Sequence, residues 1–175
     1  MGNVCFFSMG IKGQKENIDK LLRMLKQEGI TWIGRGAEFE ISECFCSDYY
    51  TNEHYCRING SVSNSLHSAL FANAESMRSH PEKWNFTPEE IEALHILTLA
   101  EACQELDLNI ECYSEEPACC FSEHLTISRG EVLSYDKVDH IESYDETTGE
   151  WTSEGGFPNW DFNLLLNGFD SQYER

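Results

Sequence analysis

Apolar and polar residues alternate from Val4 to Ile11, with Cys5, Phe7, Met9 and Ile11 on one side, and this period of two predicts a half-buried first strand. The period then changes. Ile18, Leu21, Leu22 and Leu25 recur at i, i+3, i+4 and i+7, the apolar stripe of a helix over about 16–28, with Gly29 placed to terminate it. Segments 31–33, 37–45 and 55–61 read as extended, and the polar stretch 47–53 joins the last two into a hairpin. Leu66, Leu70 and Phe71 predict a short helix that ends before His80-Pro81.

Thr87-Pro88-Glu89-Glu90 combines a capping threonine, a proline suited to the first helical position and a capping-box glutamate. The apolar run from Ile91 to Leu106 then predicts one long buried helix over 88–106. Leu108, Ile110 and Cys112 alternate with Asn109, Glu111 and Tyr113 in a strand. Residues 119–128 form another, and Arg129-Gly130 turns it into 131–135. Past Val138 the chain is acidic and turn-rich, then aromatic at Trp151, Phe157, Trp160 and Phe162, which predicts a tail that packs back onto the body. This order implies one α+β domain over residues 1–175. The expected architecture is a ferredoxin-like (split βαβ) antiparallel sheet with helices on one face and a C-terminal hairpin extension. The core spans about 1–140, and the acidic, aromatic extension about 141–175.

Charge sharpens this picture. Twelve basic residues stand against 31 acidic ones, a formal −19, and residues 101–175 alone carry −15. Such a field repels phosphates and anionic lipid, so neither direct nucleic-acid binding nor a membrane partner is expected, whereas a basic protein would be attracted. Eight cysteines without a secretory leader suggest reduced thiols in the cytoplasm rather than a disulfide scaffold. Nucleotide-loop, dinucleotide, serine-hydrolase and zincin motifs are absent from the sequence, so no cofactor is expected.

Three constellations are candidates for chemistry. Cys44-x-Cys46 and His54-x-Cys56 offer four zinc-compatible ligands on the predicted hairpin. In regular strands, however, the two pairs point to opposite faces, so no metal is expected unless a bulge intervenes. Glu115, Glu116, Glu123 and His124 are the catalytic candidates, since Glu123 shares the parity of Phe121, Leu125 and Ile127 and a buried carboxylate can serve as a general acid. His124 has the other parity and cannot pair with Glu123 in a regular strand. Asp139, Glu142, Asp145 and Glu146 mark a candidate acidic binding face.

Three stretches resemble the YubB ferredoxin-like domain family of plasmid, phage and conjugative-element proteins. They are Asn3-Val4-Cys5 with Gly13 and the helix from Glu16 to Leu25; Arg57-Ile58-Asn59-Gly60-Ser61; and Ser114-Glu115-Glu116-Pro117 with Phe121-Ser122-Glu123-His124 and Gly130. The resemblance implies a ferredoxin-like fold and a mobile-element setting, without an activity. The expected function is that of a non-enzymatic accessory protein that binds other proteins through its acidic surface, as a nucleic-acid mimic or an inhibitor of a host defence protein. The rival expectation is a small enzyme or metal-binding protein centred on Glu115, Glu116, Glu123 and His124.

Overall fold

The structure, a computed structural model, describes residues 3–157 and 159–167. The end of the predicted extension, 168–175, lies outside the described residues. Strand β1 (Val4–Gln14) buries Cys5, Phe7, Met9 and Ile11, as its alternation requires. Helix α1 (Lys15–Leu25) buries Ile18, Leu21, Leu22 and Leu25 against that face, and burial of each such side chain contributes about 1.5–3 kcal/mol. The helix ends earlier than Gly29. Gln27 takes the left-handed conformation at φ 56°, its N–H donates to Met24 O at 3.1 Å, and Glu28 N–H donates to Arg23 O at 3.0 Å. That is a Schellman cap formed by a glutamine.

Strand β2 (Thr31–Ile33) precedes a hairpin of β3 (Glu38–Asp48) and β4 (Glu53–Ser63). A π-helical turn (Ser68–Ala72) runs into α2 (Asn73–Ser79), followed by a 3-10 turn (Pro81–Trp84), α3 (Pro88–Ala93), β5 (His95–Leu97) and α4 (Leu99–Leu106). Then come β6 (Asn109–Glu116), β7 (Phe121–Ser128), β8 (Glu131–Asp145), β9 (Glu150–Gly155) and α5 (Asn163–Asn167).

The predicted 88–106 helix does not exist as one piece. The capping box at Thr87 and Glu90 forms, but the chain turns extended at Leu94 (φ −101°, ψ 138°), and His95–Leu97 pairs in parallel with Thr31–Ile33. A second capping box restarts the helix, with Thr98 Oγ1 accepting from Glu101 N–H and Glu101 accepting from Thr98 N–H. The signal for that restart, Thr98-x-x-Glu101, stood in the sequence inside the apolar run.

The small ferredoxin-like architecture with helices on one face is also overturned. A seven-stranded antiparallel sheet in the order β3-β4-β1-β6-β7-β8-β9 curls into a half-barrel, with 47% of residues in strands and 29% helical. Two features account for the difference. The acidic stretch after Tyr135 lacks apolar alternation, yet it continues β8 to Asp145 and carries β9 beyond it. The aromatic tail, moreover, places α5 on the face opposite α1 and α4. There Gly10 makes room for it: a Cβ at that position would lie 2.9 Å from Leu165 Cδ2 and 3.0 Å from Phe162 Cδ1. Phe157, Trp160 and Phe162 all pack near Tyr113 on this second face, whereas Trp151 remains 69% exposed on β9. No helix among the described residues is long and apolar enough to cross a membrane.

Candidate functional site

The strand register separates the four catalytic candidates. Ser114 faces Glu123 across β6 and β7, on the side of the main core, and Glu116 shares that side. Glu115 and His124 lie on the other side, where Glu115 is half-buried in register with Ser122 and Phe6. Glu123 is fully buried but not unpartnered. Its Oε2 accepts from Leu66 N–H (2.9 Å) and Ser114 O–H (2.8 Å), and its Oε1 from Tyr135 O–H (2.7 Å) and His67 N–H (3.4 Å). Four donors occupy the two oxygens and leave no lone pair aimed at a substrate. The carboxylate instead pins the chain entering the π turn to strands β6, β7 and β8.

His124 finds a different carboxylate. Its Nε2 lies 3.0 Å from Oε1 of Glu111, which is fully buried and whose Oε2 accepts from Leu165 N–H at 3.0 Å. Tyr113 stacks on the His124 ring at 4.2 Å and donates its hydroxyl to Asp161 O at 2.7 Å, and burial pushes its phenol up to about 12. The Arg57 guanidinium lies over the Phe162 ring at 4.9 Å and donates to Ser8 Oγ at 3.1 Å. This polar layer therefore fastens Phe157 and residues 159–167 to the sheet. Glu111 was invisible as a partner because its own strand shows only that it faces away from Ile110 and Cys112; the pairing needs the β6–β7 register.

The cysteine–histidine hairpin departs from the regular pleat on which its two-face expectation rested. Ser42 is an extra residue between the paired Ile41 and Glu43, so Cys44 faces Cys56 and Cys46 faces His54 on one side of the hairpin. Burial, followed by the neighbouring Cys44, pushes the Cys56 thiol up to about 12. Cys46 donates to Glu53 O at 3.6 Å, and His54 Nδ1 lies 3.1 Å from Asn52 O. Among the described residues no group of three or more His, Cys, Asp or Glu side chains is arranged to hold a metal ion.

Asp139, Glu142 and Asp145 are exposed along β8, and Glu146 opens the turn to β9. Asp145 also shapes that turn: its Oδ1 accepts from Thr147 N–H (2.8 Å) and Thr148 N–H (3.3 Å), which hold its carboxyl below the ordinary value of 3.8. The hairpin over residues 139–155 carries six carboxylates (these four with Glu150 and Glu154) and no lysine or arginine. Every residue of β9 is exposed. On one face Tyr144 and Trp151 sit as a ring pair 5.2 Å apart, and on the other Ile141 is 67% exposed. At its root His140 is buried, with Nε2 3.8 Å from Glu142 Oε1.

No family model, curated protein or solved structure matches the chain, so the family resemblance rests on the motifs that carry it.

Proposed function

We propose that the chain is a protein-binding accessory factor that engages a basic partner through the β8–β9 arm. The observation that carries this reading is the arm itself, which combines carboxylates that pair with no lysine or arginine among the described residues with the exposed Tyr144–Trp151 pair on a hairpin open on both faces. Carboxylates at that density steer a cationic surface toward the arm, and aromatic side chains supply the contact area on which interface affinity usually concentrates. A structural hairpin would bury its aromatics, and a merely solubilising surface has no use for an exposed tryptophan. In the mobile-element setting that the resemblance implies, the arm would occupy the basic groove of a DNA-handling or defence protein, in place of nucleic acid.

The test uses a panel of Lys/Arg-rich peptides with one aromatic residue each, measured by fluorescence anisotropy against the full chain. Binding should weaken at least tenfold in a Glu142→Lys, Glu146→Lys, Glu150→Lys, Glu154→Lys variant, and similarly in Trp151→Ala, while thermal stability stays nearly unchanged. Affinity should also fall steeply with salt, because exposed charges are screened beyond about 8 Å at physiological ionic strength. Peptides bound equally well by the charge-reversed variant and by the parent would end the proposal.

A further inference from the structure

Cys44 on β3 stands directly opposite Cys56 on β4, and the flanking pairs, Glu43 with Arg57 and Phe45 with Tyr55, are in register too. The Phe45 and Tyr55 rings meet at 5.1 Å on one face of the hairpin, so alternation places both cysteines on the other. Residues directly opposite in an antiparallel pair have Cα atoms about 4.5 or 5.5 Å apart, according to whether they exchange backbone hydrogen bonds. Both separations fall inside the range of about 4.4–6.8 Å that a disulfide spans. Cys46 is a diagonal neighbour of Cys56, at about 7–8 Å, and lies outside that range. Its own partner across the ladder is His54. No other two cysteines are in register among the described residues, so the sheet singles out one pair.

The two thiols differ in a way that suits oxidation in sequence. Cys44 is exposed, whereas Cys56 is 1% exposed. Burial, with Cys44 adding to it, pushes the Cys56 thiol up to about 12, so it stays protonated and out of reach of an oxidant in solution. The start of α1 reaches the exposed member. The Lys15 ammonium bonds Asp19 at 3.0 Å and is raised chiefly by that bond, but it also feels the charge of Cys44. A cation beside a partly exposed sulfur is the setting in which cysteines react. Cys119, the other exposed cysteine, has the opposite neighbour, since its hydrogen bond with Glu116 raises its thiol.

We propose that Cys44 and Cys56 form a reversible redox pair, in which a hydroperoxide oxidises Cys44 and Cys56 resolves the product. In the first step the Cys44 sulfur attacks a peroxide oxygen, the O–O bond breaks, and Cys44 becomes a sulfenic acid while its proton leaves with the water or alcohol released. In the second the Cys56 sulfur attacks the Cys44 sulfur. The S–S bond forms, the S–O bond breaks, and the Cys56 proton leaves with the hydroxyl as water. Two electrons pass from the thiol pair to the peroxide. The new bond ties β3, the outer strand of the sheet, to β4, and a cellular thiol such as glutathione reverses it by exchange. The pair lies at the sheet edge remote from the β8–β9 arm, so it stands or falls independently of partner binding.

The test treats the reduced full chain with excess hydrogen peroxide, blocks the remaining thiols by alkylation and maps the digested protein by mass spectrometry. A peptide joining Cys44 to Cys56 should appear, lighter by two hydrogens than its two thiol halves, and reduced glutathione should abolish it. The link should form equally in Cys46→Ser. In Cys44→Ser, which changes only an exposed side chain, Cys56 should remain a free thiol. Cys44 that accumulates as sulfinic acid, or that links to Cys46 or to a second chain instead, would overturn the proposal. So would a Cys44–Cys56 link that glutathione leaves intact.

Discussion

Replacing Glu123 by Gln changes one atom in the most heavily bonded buried side chain of the sheet, and its cost can be worked from the bonds it breaks. The amide nitrogen must stand where one carboxylate oxygen stood. Its least harmful orientation keeps the oxygen toward Leu66 N–H (2.9 Å) and Ser114 O–H (2.8 Å). The nitrogen then faces Tyr135, whose hydroxyl can rotate to accept, and His67 N–H, which cannot. One backbone donor is thereby orphaned and two bonds to a charged acceptor become bonds to a neutral one. Hydrogen bonds to charged groups contribute about 1.5–3 kcal/mol and neutral ones about 0.5–1.5, so the total loss is about 2–4 kcal/mol. Tyr135→Phe removes a single donor from a half-exposed position and should cost about 1–2 kcal/mol. Urea denaturation followed by far-ultraviolet circular dichroism measures both, and hydrogen exchange should show the Leu66 and His67 amides opening faster in Glu123→Gln. A loss below about 0.5 kcal/mol, or Tyr135→Phe costing more than Glu123→Gln, would refute the anchoring role.

Thr98→Ala should destabilise by about 1 kcal/mol, since it removes the cap that restarts the chain at α4; in a continuous 88–106 helix the same change would be neutral or stabilising. Stability should also fall in alkali. Burial raises Cys5 from 9.0 to about 11, Cys56 from 9.0 to about 12, and Tyr55 and Tyr113 from 10.0 to about 12. The unfolded chain releases these protons first, so their contribution is full below about pH 9 and is lost as pH rises toward 11–12. Denaturation midpoints that rise across that window would contradict the burial of these groups.

Elements defined by their own residues were legible in the sequence. The alternation of β1 and the four-residue stripe of α1 are visible because each element needs only one buried face, and a period of 2 or 3.6 records which face that is. The capping box at Thr87 and Glu90 was equally plain, because all its atoms lie within one turn. Wherever a second segment decided the outcome, the sequence misled or fell silent. The apolar run 91–106 suits a buried helix and a buried strand equally well, and only the parallel pairing with Thr31–Ile33 turns His95–Leu97 extended. The acidic residues after Tyr135 carry no strand pattern, because β8 there, His140 apart, is exposed on both faces and is held by backbone hydrogen bonds, which leave no trace in side-chain chemistry.

The same division runs through the candidate sites. Parity along β7 correctly separated Glu123 from His124, since neighbours in a strand point to opposite faces whatever lies beside them. That Glu123 would be quenched by four donors, and His124 matched to Glu111, depended on registers between strands and on segments far away in the chain. A single extra residue, Ser42, brought Cys44, Cys46, His54 and Cys56 to one face, and nothing in its side chain announces the bulge. The sequence by itself determined which residues want burial and where the negative charge accumulates. Which polar groups meet inside, and which stand without a partner among the described residues as Glu116 Oε1 does, only the tertiary structure decided, because a hydrogen bond needs both ends in place and the sequence writes them tens of residues apart.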